Sequence, residues 1–461
     1  MRGYLGLVFS TLLIAVASMH SAHAQADEVG CPLQEPGLTK TIWDAVAGPE
    51  STRHAALDTI VQCDEKSAMG PLILGLRHVV SDDELLTALS SLAGEQISDW
   101  HNAMLWQEAH PEVKSHPAIQ PLKLRVFERI DPRFMNFLGG EKSNPENMKI
   151  RLEEITWGGV VVDGIPSLNN PYLIEANEAE YLDDDSLVFG VSINGDARAY
   201  PLRIMGWHEM FNETIGGVPV ALAYCTLCGA GILYETQIEG REKELVFGSS
   251  GFLYRSNKLM FDRETNSLWN QFTGEPVSGP LVDSDIRLKT RPVAITTWGD
   301  WKDKNPSTKV LSLTTGFLRN YDEGVVYNSY FASDDLMFPA VVNEENLKAK
   351  EYIFGIRDVA QQKAWPLKAF AEEPVINDAL GAQNLVLIGN PDSRTVRAYD
   401  RGEISFEGSE DALTGGGKNW QVTEEAIVAD DGTKLARVAG HIAYWFGWNS
   451  YYGVKSEVYS R

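Results

Sequence analysis

The feature that most restricts the fold is an internal repeat. Val188-Phe189-Gly190-Val191 recurs as Ile353-Phe354-Gly355-Ile356, an offset of 165 (354 − 189). Without a gap, the same register pairs Ala199 with Ala364, Pro201-Leu202 with Pro366-Leu367, Asn212 with Asn377, Gly216 with Gly381, Leu222 with Leu387 and Tyr234 with Tyr399. Loop lengths then change, yet Trp269 finds Trp420, and Trp298-x-x-Trp301 finds Trp445-x-x-Trp448. Both stretches read as short β-rich runs broken by Gly, Asn, Asp and Pro. The expectation is a mainly β duplicated module of two pseudo-symmetric units, 150–305 and 306–461, with a site at their junction.

A different texture precedes them. Apolar residues at helical spacing, such as Leu85, Leu86, Leu89 and Leu92 after a Ser81/Glu84 capping box, predict an α-helical domain over 25–140. A segment of loop composition, from Gly139-Gly140 to Asn144-Pro145, separates it from the β-rich part. Arg2, an apolar run and Ala22-His23-Ala24 form the pattern of a cleaved signal peptide at 1–24, which predicts a periplasmic or secreted protein. No later segment is apolar enough to span a bilayer. Cys31 and Cys63 are then expected to form a structural disulfide in the helical domain. A formal net charge of −24 opposes phosphate backbones, so nucleic acid is excluded as a partner. The helical domain offers a surface for a periplasmic protein partner, and nothing in the sequence sets an oligomeric state.

The duplication lets one chain serve as its own control. Residues shared by the copies are turn formers and core aromatics, whereas every Cys and His of the repeated region is copy-specific. Cys225 and Cys228 correspond to Asn390 and Ser393, His208 to Glu373, and His441 to Ala294. Chemistry is therefore expected in the first unit, around Val220 to Glu235, VALAYCTLCGAGILYE. This reads as a hairpin whose turn carries the two cysteines, with Gly229 and Gly231 free to take positive φ. A CxxCG turn suits two thiolates facing one ion. His208 is the natural third ligand, with Met205 and Met210 nearby in sequence and His441 as a fourth donor across the pseudo-twofold. Soft donors in an oxidising compartment point to copper, with zinc next. Glu209 would orient the ligating histidine or exchange protons. Two other readings stay open: a redox dithiol pair and an inert disulfide pinning the hairpin.

A second polar constellation follows, with Phe247-Gly-Ser-Ser-Gly251 and then Arg255, Asp262, Arg263, Trp269 and Gln271. Its glycines and serines could cradle an anion, but turn and ion-pair work is the more ordinary role for such residues. The lysine and spacing of a phosphate loop are missing, so no nucleotide cofactor is expected.

Tyr200-Pro-Leu-Arg203, Trp207-His208-Glu209, Gly216-Gly217-x-Pro219-Val220 and Tyr224-Cys225-x-Leu227-Cys228-Gly229, in that order, resemble a bacterial exported domain family of unknown function. Its hallmark is a YCPLCGS-like turn preceded by a WHE segment. The chain departs from that pattern at Thr226, where the family has proline, and at Met205 and Met210, where it has aliphatic residues. The resemblance implies that His208, Glu209, Cys225 and Cys228 form one set; it implies no activity.

Overall fold

The computed structural model describes Cys31, residues 33–358 and residues 360–460. The signal-peptide expectation at 1–24 lies outside the described residues. Six helices lead the chain: Gly37–Ala47, Glu50–Gln62, Met69–His78, Asp83–Ala93, Trp100–Ala109 and Ile119–Glu128. Cys31 and Cys63 are disulfide-bonded, tying the lead-in segment to the end of the second helix. The cap of the fourth helix differs from the expected Ser81/Glu84 box. Asp82 takes the N-cap and accepts from the Leu85 amide, and Gly94 ends the helix in the left-handed region at φ 74°. The Asp82 carboxylate stands one residue nearer the first turn than Ser81, while Glu84 is drawn away to Arg53 and His54. None of the described helices is long and apolar enough to cross a membrane.

The helices do not stand alone. A five-stranded sheet, Ile155–Trp157, Phe247–Tyr254, Asn257–Asp262, Leu268–Asn270 and Glu275–Ser278, packs one face on them. Phe252 stacks on Phe134 and touches Phe127 and Phe137, so helix and sheet share one apolar core. Below that core, the Lys123 ammonium is fully buried and donates to the Leu152, Glu153 and Ile155 carbonyls.

The remaining chain is β-rich. One sheet runs Ala294–Thr297, Leu187–Ile193, Asp196–Pro201, Lys309–Leu311 and Leu173–Glu175, with Lys309–Leu311 parallel to its Asp196–Pro201 neighbour. Another runs His441–Tyr444, Tyr352–Arg357, Gln362–Pro366 and Ser456–Val458, with the last pair again parallel. In the first, Ala294 lies opposite Gly190; in the second, His441 lies opposite Gly355. Each glycine is there because an indole lies on its backbone. A Cβ on Gly190 would sit 2.2 Å from Trp301, and one on Gly355 would sit 2.1 Å from Trp448. After these come three antiparallel strands each, Met210–Ile215, Val218–Cys225 and Ala230–Glu235, and Val375–Leu380, Gln383–Asn390 and Thr395–Asp400. Phe189, Tyr200, Phe211 and Leu222 share one core with Phe354, Trp365, Phe370 and Leu387.

A 312–351 segment joins the two regions with little regular structure beyond the short helix Asn328–Phe331. It lies against the cysteine-bearing hairpin.

Two outcomes test this packing. Gly355→Ala should destabilise the protein by about 1–3 kcal/mol or more, since the indole edge of a fully buried Trp448 has nowhere to retreat; a chemical denaturation midpoint unchanged from wild type would contradict the contact. The second outcome is acid sensitivity. Burial first, then Arg77 and Lys123, hold His78 down from 6.5 to about 3. A group depressed in the folded state adds stability that is present above 6.5 and lost as pH falls toward 3. His78→Gln should therefore flatten the fall of the denaturation midpoint between pH 7 and pH 4.

Candidate functional site

The Val218–Cys225 and Ala230–Glu235 strands pair in register down to Cys225 opposite Ala230, which leaves Thr226, Leu227, Cys228 and Gly229 as the turn. Gly229 takes φ 59° and its amide donates to the Thr226 carbonyl. Gly231 does not take positive φ. It is glycine because a Cβ would lie 2.3 Å from the ring of Phe189. Cys225 and Cys228 are joined in a disulfide and are 2% and 0% exposed. Below the turn, the Gln271 amide donates to both the Ala223 and Ala230 carbonyls and so clamps the hairpin at its neck.

The WHE segment ends a helix, Leu202–His208, and Glu209 is its C-cap in the left-handed region at φ 54°. That reversal sends the two side chains different ways. The Glu209 carbonyl accepts from the Tyr224 amide next to Cys225. Its carboxylate accepts from the Thr226 hydroxyl at 2.8 Å and from the Lys258 ammonium at 3.1 Å. Glu209 and Lys258 are both buried, and a buried carboxylate is tolerable only with such a partner. Tyr327 stands beside the pair; burial, then the Glu209 charge, push its hydroxyl far above the ordinary value and keep it protonated.

His208 is occupied elsewhere. Its Nδ1 meets the Pro166 carbonyl at 2.8 Å and its Nε2 meets the Tyr321 hydroxyl at 2.6 Å. The carbonyl can only accept, so Nδ1 carries the proton and Nε2 accepts from Tyr321. Burial lowers the His208 pKa and favours this neutral form. Met205 lies in the core shared by the two β-rich regions, and His441 sits between the rings of Phe272 and Trp448. Among the described residues, no group of three His, Cys, Asp or Glu is placed to hold a metal ion. The structure thus brings Glu209 to the cysteines, and brings neither His208 nor His441 into a ligand set with them.

The second polar constellation divides. Phe247–Tyr254 is a paired strand, so Gly248-Ser-Ser-Gly251 forms no cradle; Ser250 donates to the Leu259 carbonyl. Asp262 accepts from Thr265 and from the Trp269 indole, and Arg263 pairs with Asp163 through two bonds, all supporting strands. Arg255 pairs with Glu154, but its backbone matters more: Arg255 and Ser256 form the two central positions of a hairpin turn, at φ 49° and 61°. Such a turn ordinarily takes Asn-Gly. It puts the Ser256 carbonyl 3.6 Å from Cys228 Sγ.

Three contributors escape a reading of the sequence. Lys258 is a lone cation in the buried strand Asn257–Asp262, a signal visible in NKLMFD but unassignable without its partner. Tyr327 and Tyr330 come from the joining segment, and the Tyr330 hydroxyl donates to the Leu227 carbonyl inside the CxxC turn at 2.7 Å. Four non-glycine residues in the left-handed region, Glu209, Arg255, Ser256 and Tyr327, lie in the segments that bear on the CxxC turn: the Ser256 carbonyl stands by Cys228, Glu209 holds Thr226, and Tyr327 stands beside Glu209. Strain of this kind concentrates where a site is held in a fixed geometry.

Breaking the buried ion pair from one side should be expensive: Lys258→Met leaves the Glu209 carboxylate uncompensated and should lower stability by about 3–5 kcal/mol. The double variant Glu209→Gln/Lys258→Met should recover most of the loss in denaturant titrations. Equal losses in the single and double variants would mean that the pair is not coupled.

Against known proteins, a family model described as protein of unknown function (DUF3179) matches residues 162–454. No curated protein and no solved structure matches the chain.

Proposed function

The chain belongs to the DUF3179 family of proteins of unknown function, and from that premise we propose that it is an exported thiol–disulfide exchange protein. Its Cys225–Cys228 pair cycles between disulfide and dithiol. The observation that carries this reading is a disulfide buried beside the Glu209–Lys258 pair, with left-handed non-glycine residues in the segments that bear on its turn. All four cysteines are in disulfides, as an oxidising compartment permits, which supports the export read from the N-terminal sequence.

We also infer that the β-rich part is a tandem duplication of two pseudo-symmetric units. Matching strand orders, a parallel pair in each sheet and the Gly190–Trp301 and Gly355–Trp448 contacts support it. On that reading, the counterpart of the CxxC turn is the one between Asn390 and Thr395. That turn is completed by ordinary polar contacts: the Asn390 side chain accepts from the Asp392 amide, and the Ser393 and Thr395 hydroxyls meet at 2.8 Å. Such a turn needs no disulfide to form, which weakens the inert-staple reading. Metal ligation by the reduced pair would need a third donor, and both ring nitrogens of His208 are engaged.

The exchange balances as a two-electron, two-proton transfer from a partner dithiol. One donor thiolate attacks Cys225 Sγ, the less enclosed sulfur, and the Cys225–Cys228 bond breaks. Cys228 leaves as a thiolate, takes a proton and, as a thiol, can donate to the Ser256 carbonyl. The second donor thiol then attacks the mixed disulfide, leaving the donor oxidised and Cys225 and Cys228 reduced. Access requires the 312–351 segment to lift, because Tyr330 closes over Leu227.

Equilibration with a thiol redox buffer, read by alkylation and mass spectrometry, should give a Cys225–Cys228 potential between about −300 and −120 mV. Cys228→Ser should trap a mixed disulfide on Cys225 when a small disulfide such as oxidised glutathione is added, one half of the reagent leaving as a thiol. A couple below about −300 mV, with no trapped adduct, would make the bond a structural staple and defeat the proposal. Glu209 acts here as a positioning residue. Glu209→Gln leaves the Lys258 charge unopposed near the turn, favours thiolate and should move the couple to a more oxidising potential, about 30 mV for each tenfold change. A purely structural Glu209 would lower stability without moving the potential.

A further inference from the structure

We propose that the junction of the two β-rich regions holds a single monovalent anion of halide size between Arg357 and His441. Arg357 ends the Tyr352–Arg357 strand and turns into the junction, where its Nη2 donates to the Tyr234 hydroxyl at 2.9 Å. Its Nε is buried and meets no partner among the described residues. That hydroxyl already donates to the Gln271 carbonyl at 2.6 Å, so it only accepts from the guanidinium and does not neutralise it. The neighbouring cation Arg291 is paired with Glu235, whereas no described carboxylate forms an ion pair with Arg357.

His441 is the second half of the site. It is 5% exposed, its ring lies between Phe272 and Trp448, and its Nε2 likewise meets no described partner. Both residues line one small cavity of about 10 Å³, together with Thr290, Arg291, Gly355 and Gly440. That is room for one water or one monatomic ion and no more. Oxyanions such as sulfate, and any nucleotide, are too large.

Charge decides between water and an anion. Arg357 is half-buried, but its Nε is enclosed, and an enclosed cationic donor left unpaired costs more than an unpaired neutral one. Burial and the Arg357 charge hold His441 near 3, so its imidazole is neutral and can present its one N–H at Nε2 without a second charge. One cation and two inward donors are therefore matched by one monovalent anion. Water would meet the donors without adding charge; Glu275, the carboxylate whose charge reaches Arg357, is already held by Arg287. Because His441 replaces Ala294 at the matching place in the first sheet, the site exists on one side of the junction only.

Crystals grown or soaked in sodium bromide test this directly. An anomalous bromide peak within hydrogen-bond distance of Arg357 Nε and His441 Nε2 is expected; bromide at surface positions only, with water in the cavity, would overturn the proposal. In solution, thermal unfolding in sodium chloride should be compared with sodium gluconate at equal ionic strength. With a dissociation constant on the order of 10 mM, 100 mM chloride should favour the folded state about tenfold in the unfolding equilibrium. Arg357→Met should abolish that chloride dependence, while Arg241→Gln, whose charge is paired with Glu264, should keep it. If Arg357→Met does not fold, the wild-type bromide map decides alone. Equal stability of the wild type in the two salts would also count against the site.

Discussion

A carboxylate buried at the end of a short helix organises the centre of this protein. Glu209 is too enclosed to be ionised without compensation, and its partner Lys258 arrives from a sheet that packs on the helical region. The same carboxylate holds the Thr226 hydroxyl inside the CxxC turn, and the Glu209 carbonyl holds the Tyr224 amide beside it. Three segments distant in sequence are thus fixed to one point, and the disulfide lies within it. Removing either charge exposes the other to an apolar surround, so the pair specifies the geometry of the turn as much as it stabilises the fold.

That dependence explains which parts could be read from the sequence. Gly190 and Trp301, and Gly355 and Trp448, are legible because a ring lying on a backbone admits one residue type on each side, and the requirement appears twice. Cys225 and Cys228 stand out because the repeat register sets them opposite Asn390 and Ser393. Lys258 could not be paired in advance, since its contact spans 49 residues and a different sheet. The sequence around Gly231 suggests a turn glycine, although close approach of Phe189 is what excludes a side chain. Ser81 and Glu84 fit a capping-box pattern in sequence that Arg53 and His54 disrupt through space, leaving Asp82 as the cap.

His208 carries a related lesson. Copy-specificity and proximity to the cysteines in sequence made it a natural ligand, but the left-handed turn at Glu209 sends consecutive side chains to different partners. The ring is satisfied between a carbonyl and a tyrosine hydroxyl from the joining segment. Sequence neighbours share a site only when the backbone between them keeps its course, and a helix C-cap is where it does not.

For the exchange proposed above, the joining segment is the part that must open. It makes few ladder bonds; the Tyr330 hydroxyl holds the Leu227 carbonyl of the hairpin turn, Tyr321 holds His208 on the neighbouring helix, and Lys350 ties the segment to itself through the Tyr330 and Ser333 carbonyls. Contacts of this kind open at lower free energy than a sheet, because no register must be broken. Of the ten large apolar side chains exposed among the described residues, seven lie between Leu313 and Val341. The segment is therefore held by polar anchors on its inner side and left apolar toward solvent. A thiol-bearing partner with an apolar surface could bind that outer side and weaken the anchors in the same step. Such coupling would let the turn around the disulfide stay closed to water until a reductant is present, and it needs no rearrangement of the sheets that position Cys225, Cys228 and Glu209.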